Sequence, residues 1–372
     1  NQDCSWLRRG YRAKYSASVG GGTEGMSYFV SGALSNYSGV LPNDFERKIS
    51  TRGNFTFDLR DNVRVDFNTQ YTSGHIENTA QGNNAHGLTL NVYRMERNYF
   101  QSNDPRGLRQ LLNQEISTDL NRLVSGITVN WTPYPWFTNR YVVGYDLAHQ
   151  ENRNLRPYGF VRYPRGRISD DQVIYQLLTN DYVGSINYGL TNSLRGTFSF
   201  GGQSVMSKRV QTQTFGSDFA GPGVPEVSDA AIFYAAEDRL RTINAGFFFQ
   251  NIFDINNKLF ITTGLRVDGN SAFGEALGLQ AYPKVSLSYV LSDAAFWPTS
   301  LGEVKLRSAF GYSGRAPGQF DAIRTWNAVP WAGEAGYEPQ NLGNDEVGPE
   351  RTREIEVGFD GGFLNDKLSA EF

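Results

Sequence analysis

The sequence predicts an all-β protein, an antiparallel transmembrane β-barrel of about 14 strands with short turns on one rim and long loops on the other. Three observations predict it. From Ile49 to Tyr71 apolar and polar side chains alternate through one tight turn and back. Short and long connections alternate strictly along the chain. Helical periodicity is almost absent. Successive strand side chains point to opposite faces, so period-two alternation gives a strand one greasy and one charged side. Mean hydropathy is −0.45, and the longest unbroken apolar run, residues 230–236, is far too short for a spanning helix. A membrane barrel escapes that limit, because only alternate residues of each roughly 10-residue strand face lipid.

The first clear hairpin sets the pattern for the rest. Ile49, Thr51, Gly53, Phe55, Phe57 and Leu59 share one face, opposite Ser50, Arg52, Asn54, Thr56, Asp58 and Arg60. Beyond Asp61 and Asn62, Val63, Val65, Phe67 and Tyr71 alternate with Arg64, Asp66, Asn68 and Gln70. A two-residue loop would set Leu59 opposite Arg64 and mix the faces. The expectation is therefore a three-residue loop with Arg60 opposite Arg64, Phe57 opposite Phe67, and Asn62 left-handed. The stripe returns at Tyr141, Val143, Tyr145 and Leu147; at Leu259, Ile261, Thr263, Leu265 and Val267; at Val285, Leu287, Tyr289 and Leu291; and at Val304, Leu306, Phe310 and Tyr312. Charged neighbours such as Arg266, Asp268 and Arg307 fall on the other face. With Arg52, Asp58, Arg64 and Asp66 they are the expected lumen-facing set, in a wet or plugged interior.

Short connections are expected at residues 22–25, 61–62, 132–136, 189–193, 254–258, 293–302 and 364–367. Long segments are expected at 37–48, 72–117, 148–171, 205–238, 269–281 and 313–351. That asymmetry separates a barrel from a sandwich. Tyr134, Trp136, Phe137, Phe296, Trp297 and Phe363 gather near short turns, where an interfacial girdle would sit. Asp104 and Pro105 before Leu108, Leu111 and Leu112 read as a short capped helix within one long loop.

Little of the sequence argues for catalysis. The net charge of −3 offers no basic footprint for nucleic acid, and the lone Cys4 cannot form an internal disulfide. Residues 20–25 satisfy G-x-G-x-x-G, but strand follows rather than helix, so this is a turn. The sequons at Asn36, Asn54 and Asn130 are discounted, two of them lying within strands. His75, His86 and His149 match no zinc spacing and are read as solvated residues in or beside long loops. No nucleophile, cofactor or metal motif is present, and the chain is read as a non-enzyme. The best ligand candidate is the loop 313–351. It holds Phe320, Trp326, Trp331 and Tyr337 near Asp321, Glu334, Asn344, Asp345 and Glu346. Aromatic faces beside amides and carboxylates suit sugar rings, although the same aromatics serve equally to pack the loop or to contact a partner.

At this point a resemblance becomes specific. Residues 26–35 leading into Gly39, Val40 and Leu41 are similar to an early hairpin of the SusC/RagA family of TonB-dependent outer-membrane transporters. Residues 265–274, 282–293, 304–314 and 349–360 resemble its later strands in the expected order. The resemblance implies a 22-stranded barrel with an N-terminal plug, capped by a SusD-like lipoprotein. Such a barrel imports oligosaccharides or peptides with energy passed by TonB, in the outer membrane. No plug or TonB box precedes Gly10, no export signal begins the chain, and the family continues beyond the last hairpin. Residues 1–372 are therefore expected to be part of a barrel domain, lacking the plug and the C-terminal strands. Two other readings are a complete passive porin of about 14 strands, suggested by the terminal Phe372, and a β-rich surface binding protein.

Overall fold

A computed structural model describes residues 7–94, 97–99, 110–274, 278–298, 301–364 and 367–372. The chain runs β1 (Tyr11–Thr23), β2 (Met26–Ser38), β3 (Phe45–Arg60), β4 (Val63–Glu77), α1 (Leu88–Arg94), β5 (Glu115–Tyr134), β6 (Phe137–Arg156), β7 (Arg167–Thr191) and β8 (Leu194–Phe219). It continues β9 (Ala230–Ile255), β10 (Leu259–Asn270), β11 (Gln280–Val290), β12 (Glu303–Arg315), β13 (Thr325–Trp331), β14 (Glu334–Asn341), β15 (Glu350–Phe363) and β16 (Leu368–Glu371). Fourteen strands form one antiparallel sheet in chain order, with β1 and β16 at its edges. The exception to plain succession is β13–β14, a separate hairpin carried on the connection between β12 and β15.

The sheet has no soluble-protein core. Among the described residues the buried apolar side chains concentrate near the long-loop rim, in two clusters. One joins Leu41, Leu88, Leu111 and Phe160; the other joins Leu155, Ile168, Phe219 and Ala230. Mid-strand apolar residues such as Tyr28, Ile127, Phe249, Leu265 and Val285 are exposed on one side of the sheet. A soluble domain of this size would bury them, which counts against the β-rich surface binding protein. Among the described residues no helix is long and apolar enough to cross a membrane; the strands do the crossing.

The structure corrects several expectations. The β3–β4 turn is the two residues Asp61 and Asn62, and uniform faces are kept by a bulge between Asp58 and Arg60 instead of a third loop residue. Asp58 faces Arg64 and Phe55 faces Phe67, shifting the expected register. The extra residue of a bulge lets two strand positions oppose one, which restores the phase of the alternation. Asn62 is not among the residues with positive φ, whereas Asn256 and Asn257 in the β9–β10 turn are.

Strands also run much further than the apolar stripe indicates. β7, β8 and β9 span 25, 26 and 26 residues, about twice what a bilayer needs. Much of the expected loops 148–171 and 205–238 is therefore strand. His75 and His149 accordingly sit in β4 and β6 rather than in loops. The helix expected from Asp104 lies mostly outside the described residues; its end, Gln110–Asn113, is a 3-10 turn with Leu111 buried. Instead α1 forms one seven-residue helix just upstream.

Candidate functional site: the polar face and the long-loop rim

Register carries one polar face across the whole sheet. Directly opposed residues in a ladder share a face. Arg64 pairs with Asn130 and Asn130 with Arg140; further along, Gln203 pairs with Gly246 and Gly246 with Asp268. Beyond these, Lys284 opposes Gly311, which opposes Glu354. The seven residues Arg52, Asp58, Arg64, Asp66, Arg266, Asp268 and Arg307 all fall on this side. Their charges are mostly matched locally. Arg64 Nε donates to Asp58 Oδ1 at 2.6 Å, and Thr56 Oγ1 donates to Asp66 Oδ1 at 2.7 Å. Arg122 binds Asp146 at 2.9 Å, Arg195 binds Asp254 at 2.8 Å, and Arg307 lies 2.8 Å from Asp360. Arg52 finds the amide oxygen of Asn54. Such solvated pairs contribute little stability singly, about 0–1 kcal/mol, and they keep the face wettable.

One network depends on a glycine. Arg266 Nε donates to both carboxylate oxygens of Asp268 at 2.8 Å, and its Nη2 reaches across β9 to Gln203 Oε1 at 3.1 Å. Gln203 Nε2 in turn donates to Asp181 Oδ2 at 3.1 Å. The strand crossed contributes Gly246, where any Cβ would collide with Asp268 Oδ1. The missing side chain is what lets β7, β8 and β10 share hydrogen bonds over β9.

The opposite face is apolar, and four of its asparagines are capped. Phe198, Phe200, Phe247 and Phe249 form a contiguous aromatic set with ring centroids 6.0–6.4 Å apart. Four asparagines on this face each accept a hydrogen bond from a tyrosine, three of them from the adjacent strand and one, Asn251 of β9, from Tyr188 of β7 across β8. These are Tyr71 to Asn121 at 2.9 Å, Tyr141 to Asn180 at 3.2 Å, Tyr182 to Asn139 at 2.8 Å, and Tyr188 to Asn251 at 2.9 Å. Tyr188 reaches diagonally because its ring lies over Gly196, its direct cross-strand partner. An amide facing hydrocarbon needs such a partner, since no water is there to supply one. Tyr134 and Trp136 stack at 5.3 Å beside the β5–β6 turn, on the short-turn rim.

At the long-loop rim the expected ligand set is divided. Ala328 of β13 faces Tyr337 of β14 and Trp326 faces Pro339, so Trp326 and Tyr337 share one face of that hairpin. Trp331 opposes Glu334 at the tip, on the other face, and is 80% exposed. The tip turns on Ala332 and Gly333, with φ of 51° and 89°. Phe320 lies at the base, its carbonyl accepting from Asn341 Nδ2 at 2.8 Å. The backbone around Asp345 packs on the connection after β10, where Gly274 donates to Val347 O at 3.1 Å. Only Trp326 and Tyr337 are brought together.

A second group at this rim was not expected from sequence apart from Leu111, one of the apolar residues of the expected loop helix. Residues 39–44, 78–94, 110–113 and 157–166 meet through Leu41, Leu88, Leu111 and Phe160, with Tyr163 against them. His86 packs on Phe160 and Tyr163, with ring centroids 5.8 and 5.5 Å away. Burial lowers its pKa below the usual histidine value, and Arg156, Arg162 and Arg167 lower it further. Among the described residues no group of three His, Cys, Asp or Glu is placed to hold a metal ion.

This architecture, a single meandering sheet with one wet and one greasy face, is that of an outer-membrane β-barrel wall. Residues 54–372 match the family model described as TonB dependent receptor-like, beta-barrel, and the chain belongs to that family. It is an outer-membrane β-barrel protein. The TonB-dependent receptor P39 of Formosa agariphila is 21% identical over 94% of this chain, which spans 35% of that protein. Among solved structures, the RagAB peptide transporter matches with TM-score 0.82 and 16% identity over 97% of this chain and 43% of its own. The ferric citrate transporter FecA matches with TM-score 0.63 and 13% identity over 97% and 48%. The chain thus spans under half the length of these relatives.

Proposed function

We propose that this chain is the barrel wall of a TonB-dependent importer of peptides. The polar face lines the channel, the apolar face meets lipid, and the long-loop rim opens to the exterior. The observation that carries the reading is the unbroken polar face, whose ion pairs suit a water-filled or plugged interior far better than a hydrocarbon one. Of the two solute classes the resemblance implies, oligosaccharide and peptide, the similarity to a structure described as a peptide transporter supports the second. A SusD-like lipoprotein at the long-loop rim and TonB acting through a plug complete the proposed assembly. Trp326 and Tyr337, sharing one face of the rim hairpin, are the proposed aromatic contacts for solute or lipoprotein.

The test is uptake of a labelled peptide mixture by cells carrying or lacking the full-length gene. Gene-dependent uptake that stops when TonB is deleted is expected. Uptake that persists without TonB would identify a passive pore. Gene-dependent uptake of oligosaccharides and of no peptide would overturn the solute assignment. Trp326→Ala should weaken uptake or lipoprotein co-purification while the barrel still folds.

A further inference from the structure

Arg156 and Arg167 oppose each other directly at the long-loop ends of β6 and β7. The β6 register places both on the polar face, in step with Arg140 and Asp146. Like charges directly opposite one another are destabilising, and elsewhere on this face Arg64, Arg122, Arg195, Arg266 and Arg307 each have an aspartate. Neither Arg156 nor Arg167 forms an ion pair with a carboxylate among the described residues. Aromatic rings hold them instead. Both guanidinium groups lie over Tyr163, at 5.6 and 5.4 Å, and Arg167 also lies 4.4 Å from the Phe215 ring. Arg167 Nη1 makes one long hydrogen bond, 3.4 Å to the Tyr163 hydroxyl.

The donors left over are the informative part. Arg156 Nε is buried without an acceptor, and His86 Nε2 nearby is buried without a partner. Buried polar atoms are nearly always satisfied, and a rare unsatisfied one calls for an absent water, ion or ligand. Arg162 adds a third positive charge from the same loop, felt at His86. Stacked, half-buried guanidiniums that have no carboxylate partner are pre-oriented to recognise a planar anion.

We infer that Arg156 and Arg167, with Arg162 in support, form a carboxylate-binding site at the mouth of the channel that engages a carboxylate of the incoming peptide. This rests on the proposed importer function and narrows its solute to peptides with an accessible carboxylate. Two sources share that chemistry, the terminal carboxylate and an acidic side chain, and two probe modifications separate them.

The experiment measures binding of a short fluorescent peptide to the full-length detergent-purified protein. The peptide has a free C-terminus and one glutamate; its counterparts carry a C-terminal amide, glutamine in place of glutamate, or both changes, the last being the neutral counterpart. Wild type should prefer the carboxylate form by at least about tenfold, the lower range for hydrogen bonds to a charged group. The singly changed counterpart that loses affinity names the source. Arg156→Gln with Arg167→Gln should erase the preference while leaving affinity for the neutral counterpart unchanged. If that double variant fails to fold, the exposed Arg162→Gln should still reduce the preference, and added salt should weaken only the carboxylate form. A preference that survives in the variants, or equal loss for charged and neutral peptides, would overturn the site and leave the importer function standing. Binding of oligogalacturonate but of no peptide would overturn the peptide assignment of both.

Discussion

Replacing Phe249 with arginine tests which side of the wall meets lipid. Phe249 is on the apolar face, opposite Leu265 and Phe200, with the rings of Phe198 and Phe247 at 6.4 and 6.2 Å. It stands six residues from the end of β9 at Ile255. At about 3.3 Å per residue and a tilt of about 40°, that is about 15 Å above the short turn, near the middle of an apolar band about 25 Å tall. Arginine on the lipid side at midplane costs about 2–4 kcal/mol, or roughly 30- to 700-fold in the folding equilibrium. The next residue is the control. Gln250 faces Ser199 and Gly264 on the polar side, and Gln250→Arg there should cost less than about 1 kcal/mol. Denaturant unfolding of the full-length protein in lipid vesicles measures both. Equal losses for the two variants, or a larger loss for Gln250→Arg, would refute the assignment of faces.

Three other outcomes follow from named contacts. Tyr188→Phe strips Asn251 of its hydrogen-bond donor and should cost about 1 kcal/mol in vesicles; adding Asn251→Leu should restore most of it. Gly246→Val drives a side chain into Asp268 and the Val267 carbonyl, so it should destabilise by about 1–3 kcal/mol, whereas Gly32→Val, with open space around it, should cost less in the same unfolding assay. His86, held neutral by burial and nearby arginines, makes the rim cluster sensitive to acid. Its folded pKa is depressed, so the unfolded loop binds the proton first. Stability is complete above the ordinary histidine value of about 6.5 and is lost as pH falls toward and through the folded value. Amide protection factors, corrected for the intrinsic pH dependence of exchange, should fall in residues 80–92 and 157–166 between about pH 7 and pH 5, and His86→Gln should remove most of that dependence.

The membrane-spanning part was legible in the sequence because lipid on one side and water on the other impose period-two alternation. Beyond the bilayer both faces of a strand are wet, so the stripe fades although pairing continues. For that reason the ends of β6 to β9 read as loops, and the opposition of Arg156 to Arg167 was hidden within an expected connection. The bulge at Asp58 and Arg60 left only an ambiguity of phase, which a third turn residue would have resolved equally well. The Tyr–Asn pairs and the gap at Gly246 join strands through register, and register is not written in any one strand. The aromatics of residues 313–351 were visible as residue types, but only the hairpin geometry shows that Trp326 and Tyr337 share a face while Trp331 does not.

The most direct test of the central claim is a cysteine scan through β10, residues 259–270, in full-length protein lacking other cysteines. Each position is spin-labelled in lipid vesicles, and its accessibility to oxygen and to a water-soluble nickel complex is measured. Period-two profiles in opposite phase are expected, with oxygen favoured at Ile261, Thr263, Leu265 and Val267 and nickel favoured at Thr262, Gly264, Arg266 and Asp268. Profiles without that period, or nickel access equal on both faces, would contradict a wall with lipid on one side and a channel on the other.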